Sequence, residues 1–170
     1  MRLFIAVLLS DQCKAALTGA QDALYKSGYR GHYSNEAALH VTVAFIGEYD
    51  DPDHVLEVME TVPFAPFQME LAGYIGNFGD LLWAGVRADD ALGQYVKRLR
   101  HALADAQIPF DRKAYHPHIT LLRHAHGQRP YAEIHVHEAA MTVQSIALMR
   151  SDRRQRGAAY TELGRMEAIG

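Results

Sequence analysis

Short runs of strand length recur along this chain, at 2–9, 39–46, 68–75, 81–87, 117–123, 133–137 and 143–150, with a closing run expected near 159–163. That recurrence constrains the fold more than any other feature, because several runs follow one another with only a turn between them. "GNFGD" at 76–80 and "HGQRPY" at 126–131 read as such turns. Helix periodicity appears in three places only. Residues 11–26 follow a capping Ser10 or Asp11 and put Leu17 and Leu24 on one face. Residues 52–61 begin with a proline in the first turn and stop before Pro63. Residues 89–106 repeat Leu92, Val96, Leu99 and Leu103 at a period of three to four. Strands in adjacent pairs, interrupted by few helices, predict an α+β fold of mostly antiparallel sheet rather than a doubly wound parallel one.

At 170 residues the chain suits one domain, 1–170, with no low-complexity linker to divide it. Hydrophobic residues at 49% and charged residues at 22% are globular values, so the bulk of the chain has an apolar core to bury. A net charge of -3 excludes a global field for coating nucleic acid, while leaving room for a local site that handles a single phosphate. Cys13 is the only cysteine, which excludes an intramolecular disulfide and a cysteine-based zinc cluster and suits a reducing compartment. The opening "MRLFIAVLLSDQC" mimics a short signal peptide, yet its apolar run ends at Ser10-Asp11 without a small-residue cleavage site. It reads as a first buried strand, and the expected location is the cytoplasm, with no membrane contact.

Two of the runs carry the same polar insertion. "ALHVTVAFIG" at 38–47 holds His40 and Thr42, and "YHPHITLLR" at 115–123 holds His118 and Thr120. Residues i and i+2 share one face of a strand, so each run presents an imidazole and a hydroxyl together. Val41, Val43 and Phe45, like Ile119 and Leu121 of the second run, are expected to point to the opposite side, into a core. Either step alone also suits a half-buried strand with satisfied polar groups. Side by side, the two supply what phosphodiester cleavage requires: one imidazole to accept a proton, one to donate it, and hydroxyls to hold the anionic phosphate. Histidine suits both roles, because an unperturbed pKa of about 6.5 lets one ring be neutral and the other charged near neutrality. His32-Tyr33-Ser34 offers a similar step, in a polar, turn-like stretch.

A second enzyme reading is a metal site. The pairs His116/His118, His124/His126 and His135/His137 would each put two imidazoles on one strand face, with Asp111, Glu133 and Glu138 near in sequence. A third is a binding module that recognises phosphorylated ends without turnover. Survival of hydrolysis in excess chelator separates the first reading from the second, and turnover itself separates both from the third.

The flanks of the doubled step resemble the 2H phosphoesterase superfamily, and within it the RNA 2',3'-cyclic phosphodiesterases, also called the 2'-5' RNA ligase or LigT-like family. "MRLFIAV" is similar to that family's opening strand and "LHVTVAFIGE" to its first His-x-Thr motif. "GNFGDLLWAGV" resembles the paired strands that follow, "PFDRKAYHPHITLLR" the second motif, and "SIALMRSDRRQRGAAYTEL" the C-terminal strand, turn and closing strand. The resemblance implies two pseudo-symmetric lobes with an active-site cleft between them. It implies hydrolysis of a terminal RNA 2',3'-cyclic phosphate to a 2'-phosphate, and reversible joining of RNA through a 2'-5' linkage, tRNA halves among the substrates. By the same resemblance His40 is the general acid and His118 the base, Thr42 and Thr120 bind phosphate oxygens, and Arg123 lies near the phosphate. No cofactor or metal and no protein partner is implied, and a monomer is expected. Cleavage of 2'-5' oligoadenylates or of a small cyclic nucleotide is the alternative within the superfamily.

Position 123 has the wrong parity for that role. On a straight strand Arg123 faces away from His118, so the strand must end, bulge or twist before it. The family's usual tryptophan before the first motif is also missing, and Tyr33, Phe78 and Tyr115 are the aromatic residues left to stack a base. Arg150, Arg153, Arg154 and Arg156 form a cluster able to receive an RNA backbone.

Overall fold

Ser10 ends the first strand and starts the first helix, its hydroxyl accepting a hydrogen bond from the Cys13 amide at 3.2 Å. Asp51 does the same before the second helix, accepting from the His54 amide at 3.2 Å, with Pro52 in the first turn. The computed structural model describes residues 1–154 and 157–170. The chain runs β1 (Arg2–Leu8), α1 (Asp11–Lys26), β2 (Arg30–Tyr33), β3 (His40–Glu48), α2 (Pro52–Glu60), β4 (Phe67–Phe78), β5 (Leu81–Ala88) and α3 (Asp90–Asp105), then β6 (His118–His126), β7 (Ala140–Val143), β8 (Ser145–Arg154) and β9 (Gly157–Glu167). No helix among the described residues is long and apolar enough to cross a membrane.

The strands form two sheets in the orders β3-β1-β8-β9 and β2-β6-β5-β4-β7, and every pairing is antiparallel. This is the α+β architecture that the spacing of runs predicts, and each sheet carries one His-x-Thr strand. β3 is an edge strand of its sheet and packs against β6 of the other. One buried cluster joins Ile5, Val7, Val41 and Val43 to Ile119, Leu121 and Ala84, and to Leu17, Leu24, Leu99 and Leu103 of the helices. Alternation then puts Phe4 and Ala6 of β1 on the opposite face, where they meet Ala147, Met149, Phe45 and Tyr160 in a second, smaller cluster. That second face carries His40.

Two expectations are corrected. Residues 133–137 are not a strand: a single 3₁₀ turn at Tyr131–Glu133 leads into irregular chain, and the strand that pairs with β4 is Ala140–Val143. The alternation there is real, since Val136 is buried between exposed His135 and His137, but only the Val136 amide reaches β4, donating to the Gly73 carbonyl at 3.3 Å. Conversely, the polar stretch around His32 is a strand, pairing His32 with Arg123 and Tyr33 with Leu122. Gly31 permits the approach, because a Cβ there would stand 2.5 Å from the Arg123 carbonyl oxygen.

Candidate active site

Both motif histidines are held in the same way. His40 Nδ1 lies 2.7 Å from the Ala38 carbonyl oxygen and His118 Nδ1 lies 2.7 Å from that of His116. A carbonyl only accepts, so in each ring Nδ1 carries the proton and Nε2 presents a lone pair when the ring is neutral. His40 Nε2 meets the Thr42 hydroxyl at 3.0 Å. Thr120 pairs with Trp83 across the ladder, is half-buried, and has no hydrogen-bond partner for its hydroxyl among the described residues. The two motifs therefore share a backbone lock and differ in what the hydroxyl is doing.

The parity of Arg123 is settled by a bulge. On β5 the step from Leu82 to Trp83 is matched on β6 by a step from Leu122 to Thr120, which leaves Leu121 as the extra residue. β3 has the same device: opposite Ile5 and Ala6 stand Ala44 and Thr42, leaving Val43 extra. In consequence two consecutive residues are buried in each strand, Val43 with Ala44 and Leu121 with Leu122, and alternation restarts one residue late. The fifth residue after each histidine thereby returns to the histidine's side of the sheet: Arg123 on β6, and Phe45 on β3, which corrects the expectation that Phe45 points into the core with Val41 and Val43. The Leu121 carbonyl, out of register with β5, accepts from the Ser34 amide at 3.0 Å and from Gln21 Nε2 at 3.0 Å. The same Gln21 nitrogen donates to the Ser34 carbonyl at 2.8 Å. Gln21, on the core face of α1, is the one buried polar residue among the described residues, and it clamps the bulge.

Burial is the main cause that pushes the His40 and His118 pKa values below the usual imidazole range, and the Arg123 guanidinium adds to it at both rings. His118 also acts on His40, and His116 on His118, while the two carbonyl hydrogen bonds work in the opposite direction. The charge of Arg123 thus reaches both imidazoles. A cleft of about 500 Å³ opens beside His118, lined by Thr42, Phe45, Phe78, Lys113, Tyr115 and His118 among others, while His40, Thr120 and Arg123 lie outside its lining. Tyr115 spans the two motifs: its hydroxyl donates to the Thr42 carbonyl at 2.8 Å, and burial pushes its pKa well up. Phe4 and Tyr160 pack on the His40 ring, with centroids at 4.8 and 5.4 Å.

Of the aromatic residues singled out for stacking, Phe78 stands in the cleft, 45% exposed, with its ring 5.1 Å from that of His118. Trp83 and His116 pack behind it. Tyr33 is turned elsewhere, its hydroxyl bonded to the Tyr29 carbonyl and its ring beside Tyr25. Of the arginine cluster, Arg150 is paired with Asp152 at 3.1 Å, Arg153 and Arg154 are exposed at the end of β8, and Arg156 lies outside the described residues. Around the three His-x-His pairs, no group of three or more His, Cys, Asp or Glu is gathered to hold a metal ion among the described residues. Gln21, the Tyr115 tie and the β3 bulge escaped sequence reasoning, while the β6 bulge is one of the three ways in which Arg123 could return to the His118 side. The signals were a lone glutamine on an apolar helix face and a doubled apolar step after each threonine.

Comparison with known proteins gives the family. The sequence model of the 2'-5' RNA ligase superfamily matches residues 10–155. A Geobacillus stearothermophilus protein named RNA 2',3'-cyclic phosphodiesterase is 30% identical over 139 residues, which cover 75% of this chain and 43% of that protein. The chain thus spans less than half the length of that relative. The crystal structure of TT0787 from Thermus thermophilus superposes with a TM-score of 0.79 at 29% identity, covering 98% of this chain and 97% of the other. That of E. coli LigT complexed with 3'-AMP gives 0.83 at 22% identity, covering 99% and 98%, a likeness of fold. With most of its length matched by that sequence model, and its two antiparallel sheets shared with these structures, this chain belongs to the 2'-5' RNA ligase superfamily.

Proposed function

We propose that this chain is an RNA 2',3'-cyclic 3'-phosphodiesterase, which opens a terminal 2',3'-cyclic phosphate to a 2'-phosphomonoester by acid-base catalysis with two histidines and no metal. The observation that carries the reading is the matched pair of imidazoles. Each is locked through Nδ1 to a backbone carbonyl, each offers Nε2, and both feel the charge of Arg123. The name of the Geobacillus relative supports it.

In this mechanism His118 Nε2 takes a proton from water as the water oxygen bonds to phosphorus. The bond from phosphorus to the 3' oxygen breaks, and protonated His40 Nε2 gives that oxygen its proton. Thr42, Thr120 and Arg123 hold the non-bridging oxygens as charge builds on them. In the free protein both imidazoles lean to the neutral form, so the proton that His40 needs is favoured by the phosphate anion itself once bound. A 5'-hydroxyl of a second RNA in place of water gives a 2'-5' linkage, and in the reverse direction acid and base exchange roles. RNA ends bearing a cyclic phosphate, including those of tRNA halves, are the proposed substrates.

The test is a short RNA with a 2',3'-cyclic phosphate, incubated with the protein in excess chelator, with the product resolved as 2'- or 3'-monophosphate. A 2' product is expected. A 3' product would make the 2' oxygen the leaving group, and loss of turnover in chelator with recovery on adding metal would overturn the reading.

A further inference from the structure

A second cavity, of about 770 Å³, lies beside the cleft, between α3, the end of α2 and the segment 110–112. Arg100 lines both, and the two meet at that side chain. Lys97, Arg98, Arg100 and Arg112 line the outer cavity, and Lys113 continues the series into the cleft. Among the described residues none of these five cations is ion-paired with a carboxylate, whereas Lys26, Arg87, Arg150 and Arg165 all are. Asp105, which lines the same cavity, stands 3.4 Å from His101, and Asp111, which lines the cleft, accepts from the Lys113 amide at 3.0 Å. In a chain of net charge -3, five cations against these two carboxylates leave a local field of the opposite sign on one side of the cleft.

Three of the five cations, Arg98, Arg100 and Arg112, are also fixed in place. Arg98 Nη1 donates to the Pro63 carbonyl at 2.7 Å and Arg100 Nη1 to that of Lys113 at 2.8 Å. Arg112 stacks over the Phe110 ring at 4.5 Å, and Arg100 Nε is buried with no hydrogen-bond partner. Lys97 and Arg100 stand about 4.5 Å apart along α3 at its rise of 1.5 Å per residue, and Arg112 and Lys113 continue the row of cations off the helix toward the cleft.

We infer that this track, from Lys113 over Arg112 and Arg100 to Lys97 on α3, binds the RNA backbone 5' to the terminal cyclic phosphate, so that the preferred substrate is an oligoribonucleotide rather than a mononucleotide. The inference rests on the proposed phosphodiesterase reading. Its test compares adenosine 2',3'-cyclic phosphate with an oligoribonucleotide of the same terminal residue, using wild type, the double variant Lys97→Gln/Arg112→Gln and the double variant Arg153→Gln/Arg154→Gln. Binding of a labelled oligoribonucleotide ending in a 2'-phosphate is followed by fluorescence anisotropy. Replacing Lys97 and Arg112 should lower kcat/KM for the oligomer roughly tenfold and reduce its salt slope by about 1.4, at about 0.7 per single-strand phosphate contact. Mononucleotide turnover should not change, and anisotropy should weaken in parallel. An equal loss on both substrates, unchanged oligomer binding, or the loss appearing with Arg153 and Arg154 instead would overturn the track. Failure of wild type to hydrolyse either substrate would sink the phosphodiesterase reading, and anisotropy would still decide the track.

Discussion

The two threonines occupy matching places in the motifs, yet their hydroxyls begin from different states, which makes Thr42→Val and Thr120→Val a sharp pair. Valine keeps the branched shape and the strand preference, and removes only the hydroxyl. Thr120 has no hydroxyl partner among the described residues. Its hydroxyl bond to the charged phosphate would be lost outright, about 1.5–3 kcal/mol, or roughly 10- to 150-fold in kcat/KM. Thr42 already holds His40 Nε2 at 3.0 Å, so the variant forfeits about 1 kcal/mol in the free protein as well. Because kcat/KM compares the transition state with free protein and free substrate, that loss offsets part of the cost. Thr42→Val should therefore cost only about 0.5–2 kcal/mol, roughly 2- to 30-fold. Stability should move the other way. Thr42→Val should lower Tm by about 2–4 °C and Thr120→Val should leave it in place. Steady-state hydrolysis of a cyclic-phosphate RNA and a thermal melt read both orders. A larger kinetic cost at Thr42, or a Tm loss confined to Thr120, would refute the reasoning.

Replacing His40 or His118 by alanine should lower turnover by about 10²- to 10⁴-fold, with circular dichroism showing an intact fold, while His54→Ala and His101→Ala leave turnover unchanged. Both motif imidazoles are held below the usual imidazole range, so the singly protonated pair of the free protein is most populated below about pH 6.5. The kcat/KM profile should be bell-shaped with its maximum there, and kcat should peak at higher pH, because bound phosphate raises both values; coincident maxima above neutrality would refute this. Gln21→Leu should cost about 1–3 kcal/mol in chemical denaturation, for two lost hydrogen bonds. It should also lower kcat/KM by displacing Arg123. Combined with Arg123→Met, it should then reduce activity no further, and an additive loss would separate the clamp from the arginine.

The alternation of apolar and polar residues carried most of the fold. All three helices lie within a residue of the ranges that periodicity and capping predict, and the motif strands begin at or beside the expected residue. Two kinds of information were missing. Pairing is not local: β2 has only four residues, one a glycine, and becomes a strand because β6 offers it an edge, while 133–137 alternates well and finds almost no partner. Register is not local either. A parity rule applied to an uninterrupted strand sends Arg123 away from His118, and the bulge at Leu121 brings it back. The doubled apolar step, Val43-Ala44 and Leu121-Leu122, was visible throughout as a break in alternation. What the sequence could not supply was Gln21, an α1 residue whose amide satisfies the carbonyl that the bulge releases.

The two halves share a backbone plan and diverge in one side chain. After each bulge the strand presents a residue on the histidine's side, and the plan fills it with Phe45 in one sheet and Arg123 in the other. Phe45 is taken up in the small apolar cluster with Phe4 and Tyr160, and that cluster removes water from around His40. Arg123 is exposed and charged, and sits on the strand of the less deeply buried His118. A symmetric pair of imidazoles would have no preference for which ring holds the single proton. Here Arg123 acts on both rings and the apolar wall around His40 makes them inequivalent, which under the proposed mechanism gives proton transfer across the phosphorus atom a direction.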